Sequence, residues 1–146
     1  ETFQAGLSWY TVLAKRENFR KAFDNFDLMK IANYSEDKMD ALAEDAGIIR
    51  NKLKIKATVT NAQAFIKVQE EFGSFSKYIW GFVDGKPIDN KPKTLNEVKA
   101  TTPISDALSK DLKKRGFKFV GSTVMYAHMQ ATGMVNDHVM DCWTRK

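Results

Sequence analysis

Apolar residues along this chain recur at three- and four-residue intervals, and glycines or small polar residues interrupt them. That spacing predicts helices. After a short polar-to-small run over 1–6, Ser8 is placed to cap a helix carrying Trp9, Tyr10, Leu13, Phe19 and Phe23, at only approximately helical spacing. Phe26-Asp27 breaks it, and Asp27 caps a short helix over 28–32. Ser35 caps the next one. Glu36 and Asp37 occupy its first turn, where the helix dipole favours acid, and Met39 and Leu42 mark its buried face. A longer helix is expected over 51–72, with Leu53, Ala62, Phe65, Ile66 and Val68 as its apolar surface and Gly73 as its stop. Residues 54–60 are rich in β-branched side chains, but they lie inside a helix-length segment and are read as helix.

Ser74 caps a short aromatic helix holding Phe75, Tyr78, Ile79, Trp80 and Phe82. Asp84-Gly85-Lys86-Pro87 is a turn, and the polar stretch to Lys93 reads as an exposed loop. Thr94 and Glu97 have capping-box spacing. Thr102-Pro103 is a cap followed by a first-turn proline, which opens a helix running to Arg115 and stopped by Gly116. Residues 117–120 lead into a last major helix over 122–132, stopped by Gly133, and a final turn holds His138 and Cys142. No alternating apolar run of convincing length appears. The expected fold class is all-α, one domain over 1–146, without internal repeats.

One stretch organises the rest. Over 42–52 (Leu-Ala-Glu-Asp-Ala-Gly-Ile-Ile-Arg-Asn-Lys) a helical pattern ends at Gly47 and another begins within a few residues. A turn this short leaves backbone N–H groups free beside Arg50 and Lys52, with Lys54 nearby, which suits a phosphate. On the local pattern alone an ordinary turn is the commoner reading, because glycine at a helix end is common.

Charge and composition widen the options without deciding among them. The net charge of +5 permits nucleic acid or an anionic surface as partner, and 43% apolar content marks a globular chain. A second basic cluster, Lys110, Lys113, Lys114, Arg115 and Lys118, is either a solvated helix face or a second phosphate contact. Cys142 is the one cysteine, so no intrachain disulfide can form, which fits a reducing, cytoplasmic setting. No apolar run approaches a membrane span and no signal peptide is visible. The chain opens on Glu1 rather than Met, in what reads as the middle of an element, so a preceding segment is expected.

Two constellations could carry chemistry. Glu1 could accept hydrogen bonds from the edge of a base while Trp9, beyond the small-residue turn Ala5-Gly6-Leu7, stacks on its face. A cationic base would improve both contacts, through ion pairing and cation–π attraction. The structural alternative, favoured by the burial habits of tryptophan, is a core Trp9 and a helix-end charge. His138 and Cys142, four apart, face the same way on a helical turn and could supply half of a tetrahedral zinc site; a buried thiol and a surface histidine are the plainer reading. Glu70-Glu71 reads as solvated surface, and no Gly-rich phosphate loop, Gly-x-Ser-x-Gly elbow or His-Glu-x-x-His is present.

Several blocks, in this order, resemble those of bacterial DNA-3-methyladenine glycosylase I, one of the helix-hairpin-helix glycosylases. They are Gln4-Ala5-Gly6-Leu7-Ser8-Trp9, Lys15-Arg16-Glu17-Asn18, Asp45-Ala46-Gly47-Ile48-Ile49-Arg50, Ser105-Asp106-Ala107-Leu108-Ser109-Lys110, the run 113–121, and Val135-Asn136-Asp137-His138. The resemblance covers nearly the whole chain. It implies excision of 3-methyladenine from alkylated DNA, with 42–52 as the hairpin. Gly47, Ile48, Arg50 and Lys52 would contact DNA there, and Gly6 and Leu7 would enter the space left by the flipped base. Glu1 is implied as the pocket glutamate, serving recognition and catalysis, and Trp9 as the stacking tryptophan. His138 and Cys142 are implied as two ligands of a structural zinc. The partner implied is double-stranded alkylated DNA, met by a monomer with no membrane association.

The family's segment before the position of Glu1 carries the other two zinc ligands, a cysteine and a histidine, and a tyrosine that contacts the base; none is in this sequence. The alternative expectation is therefore a non-catalytic helix-hairpin-helix DNA-binding domain. The wider superfamily often places a catalytic aspartate after the hairpin. None lies between Asp45 and Asp84, in keeping with this family.

Overall fold

The computed structural model describes residues 1–145. In chain order the helices are α1 (Trp9–Leu13), α2 (Arg16–Ala22), α3 (Leu28–Ala32), α4 (Glu36–Glu44), α5 (Lys52–Phe72), α6 (Phe75–Trp80), α7 (Pro103–Lys114) and α8 (Ser122–Ala131). Five of the expected caps form. Ser8, Asp27, Ser35, Ser74 and Thr102 each accept a first-turn backbone N–H, and Thr102 and Ser105 satisfy one another's backbone reciprocally. Asn51, expected as the first residue of the long helix, is instead its cap, accepting from the Lys54 N–H. That helix ends at Gly73, whose φ of 83° is a left-handed conformation that other residues resist.

The long helix α5 is the axis. Its first half buries Ile55, Val59 and Ala62 against Phe19, Phe23, Ile31, Leu42 and Ile48. Its second half buries Ala64 and Val68 within a second core built from Tyr78 and Ile79 of α6, Leu108 and Leu112 of α7, and Met125, Tyr126 and Met129 of α8. Phe23, Leu108, Met129 and Met134 have no accessible surface at all, and each such burial stabilises by roughly 1.5–3 kcal/mol. Two cores sharing one helix leave a seam between them, and the site described below opens into that seam.

The all-α expectation holds apart from one short pairing. Ile88–Asp89 (β1) lies parallel to Val135–Asn136 (β2), within a stretch expected to be an exposed loop. Ile88 packs on the second core, which draws the polar loop onto the body. The helix expected over 9–23 breaks at Ala14-Lys15, because its halves bury different faces: Phe19 and Phe23 enter the core while Trp9, Tyr10 and Leu13 face outward. Thr94 makes no side-chain cap, and Glu97 accepts instead from the Lys93 N–H. On α5 the expectation is inverted at two neighbours. Leu53 is 72% exposed, whereas Lys54, one residue on, is buried.

Candidate functional site

Glu1 sits directly before a single 3-10 turn, Thr2–Gln4, whose Phe3 ring is wedged 4.6 Å from Phe19 and 5.8 Å from Phe23. That aromatic wedge fixes where the carboxylate points. Glu1 Oε2 is sealed from solvent and meets no hydrogen-bond partner among the described residues. A buried carboxylate oxygen left so is costly, and a donor or cation brought in by a ligand would relieve the cost.

Three cavities meet at Glu1. The first, about 330 Å³, lies in the seam between the two cores and is walled by Ile31, Phe75, Leu112 and Met125, with Thr2, Thr58, Asn61 and His128 as its other polar lining. The second, about 670 Å³, is shared with Gln4, Trp9, Gln130, Asp137 and His138. A third, about 450 Å³, is shared with Trp9, Phe3, Arg16 and Phe26. Volumes of roughly 300–1,000 Å³ are those of small-molecule sites. Trp9 is 49% exposed and so is not a core residue; its face is open to a partner. The structure thus brings Glu1 and Trp9 to the walls of the same two cavities.

Two residues that the sequence reading passed over line these spaces. Asp137 accepts from Tyr126 at 2.6 Å, Asn90 at 2.7 Å and Gln130 at 2.9 Å. Burial pushes its carboxyl up, but those donors together outweigh burial and hold it below the usual carboxylate range. The block Val135-Asn136-Asp137-His138 drew attention to the position, not to this role. His128, on α8, faces the seam cavity with Glu1. Burial lowers its pKa, while the Glu1 charge works in the opposite direction. Nothing in its sequence neighbourhood marks it.

The turn between α4 and α5 spans 45–51. Gly47 lies beyond the last helical residue of α4, Glu44, rather than ending the helix itself. Its N–H is not free: Asp45 Oδ1 accepts it at 2.8 Å. Asn51 Oδ1 takes the Lys54 N–H, and Ile49 O takes that of Asn51. Among the described residues the N–H groups of Ile49, Arg50, Lys52 and Leu53 meet no acceptor. Ile48 is buried and anchors the turn, leaving Arg50 and Lys52 exposed. Lys15 and Asn18 of the second block reach the turn's carbonyls, Lys15 Nζ to Ala46 O at 3.2 Å and Asn18 Nδ2 to Gly47 O at 3.0 Å.

The second basic cluster divides. Arg115 is committed to structure: it pairs with Glu71 at 2.6 Å and Asp111 at 2.7 Å, and its guanidinium lies 4.9 Å and 5.0 Å from the Phe72 and Tyr78 ring centres. Its hydrogen bonds to the Glu71 and Asp111 carboxylates raise its pKa. Glu71 is therefore an ion-pair partner rather than merely solvated surface. Lys110, Lys113, Lys114 and Lys118 stay exposed. Asn61 clasps the backbone at Lys118 in both directions, accepting its N–H at 2.7 Å and donating to its carbonyl at 3.0 Å.

Cys142 Sγ lies 3.6 Å from His138 Nδ1. Zn–S and Zn–N bonds of about 2.3 and 2.0–2.1 Å at a tetrahedral angle separate the two donors by about 3.6 Å, so the pair fits two corners of a zinc site. Among the described residues no group of three or more His, Cys, Asp or Glu is placed to hold a metal. No described helix is long and apolar enough to cross a membrane.

The tight basic turn and the buried, unpartnered Glu1 oxygen beside the exposed Trp9 sit in a helical fold that this chain shares with known proteins. The methyladenine glycosylase family model matches residues 1–146, and the chain belongs to that family. It is 50% identical over 139 residues to DNA-3-methyladenine glycosylase 1 of Escherichia coli, covering 95% of this chain and 74% of that protein. Against the DNA-3-methyladenine glycosylase of Haemophilus influenzae the identity is 49%, over 95% of this chain and 75% of the relative. The solved structure of 3-methyladenine DNA glycosylase I from Staphylococcus aureus, described for its recognition of 3-methyladenine, superposes with a TM-score of 0.96 at 34% identity, over 99% of this chain and 77% of that one.

Proposed function

We propose that this glycosylase flips 3-methyladenine out of alkylated duplex DNA and hydrolyses its N-glycosidic bond. The observation that carries the reading is the sealed, unpartnered Oε2 of Glu1 on the same cavity walls as the open face of Trp9. A cationic purine supplies what that oxygen lacks, and its face suits the indole.

The lesion does part of the work. A base that already carries positive charge is a good leaving group, so no strong acid is needed to protonate it. Water forms the new bond to the sugar carbon and gives up a proton to solvent, the carbon–nitrogen bond breaks towards the base, and the base departs neutral. The protein's share is to extrude the nucleotide, hold it and admit water. Unstacking costs a few kcal/mol, least for a damaged base. Glu1 binds the edge and stabilises the charge, and Trp9 stacks. Gly6 and Leu7, exposed at the tip of their turn, fill the space the base leaves. Arg50 and Lys52, with the N–H groups left free at Ile49, Arg50 and Lys52, hold the phosphate backbone without reading the lesion, while Gly47 and the buried Ile48 shape the turn that presents them. His138 and Cys142 are proposed as two ligands of a structural zinc that would brace the chain end bordering the cavity; no chemical step runs through it.

Base release from methylated duplex by the chain, Glu1→Gln and Trp9→Ala tests this. Release by the wild type and its loss in both variants supports the assignment. Full activity in both variants refutes the pocket. Salt-sensitive duplex binding without any base release would select the non-catalytic DNA-binding reading.

A further inference from the structure

Lys54 is buried, at 5% exposure, and no carboxylate pairs with it among the described residues. Its ammonium instead donates to two backbone carbonyls, Phe3 O at 2.7 Å and Ala5 O at 2.5 Å, and stands 5.6 Å from the centre of the Phe119 ring. Burial lowers its pKa, as expected of a cation withdrawn from water without a counter-ion. An apolar side chain of similar length would fill the same space at less cost. The ammonium's use therefore lies in where its donors point.

Those donors connect three segments. Lys54 belongs to the first turn of α5, immediately after the basic turn, and Asn51 caps its own N–H at 3.1 Å. Phe3 and Ala5 flank Gln4 in the segment that holds Glu1 at one end and Gly6 at the other. Phe119 lies in the link after α7, next to Lys118, and its φ of 55° is one that L residues rarely adopt. Among the described residues, the backbone-gripping turn and the base-contacting segment make their direct polar link through this one side chain.

We propose that Lys54 is a positioning residue, clasping the Phe3 and Ala5 carbonyls so that the segment bearing Glu1, Gly6 and Leu7 stands in fixed register with the turn that grips the DNA backbone. The proposal rests on the reading of Glu1 given above. A phosphate held at Arg50 and Lys52 then delivers the nucleotide to a pocket at a set distance. Misplacement of about 1 Å can cost on the order of a hundredfold in rate.

The test compares wild type, Lys54→Met and Lys54→Gln by two readouts. The first is kcat and KM for base release, with undamaged-duplex affinity measured alongside. The second is amide exchange at Leu7, whose N–H donates to Gln4 O at 2.7 Å. Expected in Lys54→Met is a kcat lowered about ten- to a hundredfold per folded molecule, with KM and duplex affinity unchanged and Leu7 exchange accelerated. Lys54→Gln keeps a shorter, neutral amide donor group and should fall between. Unchanged Leu7 exchange in both variants, or a rise in KM at constant kcat, overturns the clasp. If the wild type itself releases no base, the glycosylase reading fails, and the exchange comparison still decides whether Lys54 fixes the segment. Should Lys54→Met not fold, Lys54→Gln carries both readouts.

Discussion

Asn18 donates from Nδ2 to the carbonyl of Gly47 at 3.0 Å, joining α2 to the turn between α4 and α5. The same contact explains the glycine. A Cβ on Gly47 would meet Asp45 Oδ1 at 3.0 Å and Asn18 Cβ and Cγ at 3.4 Å. Gly47→Ala must therefore push either the Asp45 cap or Asn18 aside, at a cost of about 1–3 kcal/mol. Asn18→Ala removes one hydrogen bond and should cost about 1 kcal/mol. Urea midpoints measure both. Duplex affinity should fall further for Gly47→Ala, because the turn itself moves.

Arg50 is exposed and unpaired in the described structure, whereas Arg115 is spent on Glu71 and Asp111. Arg50→Ala should lower duplex affinity and reduce the slope of log K against log salt by about 1, whatever the sequence or damage of the duplex. Arg115→Met should leave that slope unchanged and lower the unfolding midpoint. It strips hydrogen bonds from Asp111 and Glu71, each worth about 1.5–3 kcal/mol when charged and well placed, less where water reaches them.

Burial holds His128 below its ordinary value of 6.5 despite the nearby Glu1 charge. The native state therefore prefers the neutral ring. As pH falls through 6.5 the unfolded chain binds the proton first, so stability declines from there down to the lowered native pKa. His128→Gln removes that contribution. Between about pH 7.5 and pH 5.5 the wild type should lose more of its urea midpoint than the variant does. Equal losses would show that His128 does not titrate differently on folding.

The zinc role proposed for His138 and Cys142 predicts metal binding through a thiolate. Cobalt added in place of zinc should give a sulfur-to-metal charge-transfer band that Cys142→Ser abolishes. A band that persists in Cys142→Ser would remove this cysteine from the ligand set.

Local signals in the sequence carried much of the fold. Ser8, Asp27, Ser35, Ser74 and Thr102 announced their helices because a cap is decided within four residues. What escaped was settled by distant partners. Leu53 and Lys54 exchanged roles because the carbonyls of Phe3 and Ala5, some fifty positions away, gave an ammonium somewhere to go. The β1–β2 pairing escaped because two residues per strand make no pattern. At the site, Glu1 and Trp9 entered through a motif, and the cavities they share arise from tertiary packing. His128 had no local signature and Asp137 stood out only as part of a block; their places beside Glu1 emerged only when α8 and residues 135–138 packed around it.

The central claim is that Glu1 and Trp9 select a cationic base. Its most direct measurement is binding of the permanently cationic 3,9-dimethyladeninium ion against neutral 9-methyladenine, to wild type and Glu1→Gln, followed by tryptophan fluorescence with Trp9→Ala as the blank. The wild type should prefer the cationic base, and Glu1→Gln should lose the preference while still stacking both. Equal affinity of the wild type for the two bases, or an undiminished preference in Glu1→Gln, would contradict it.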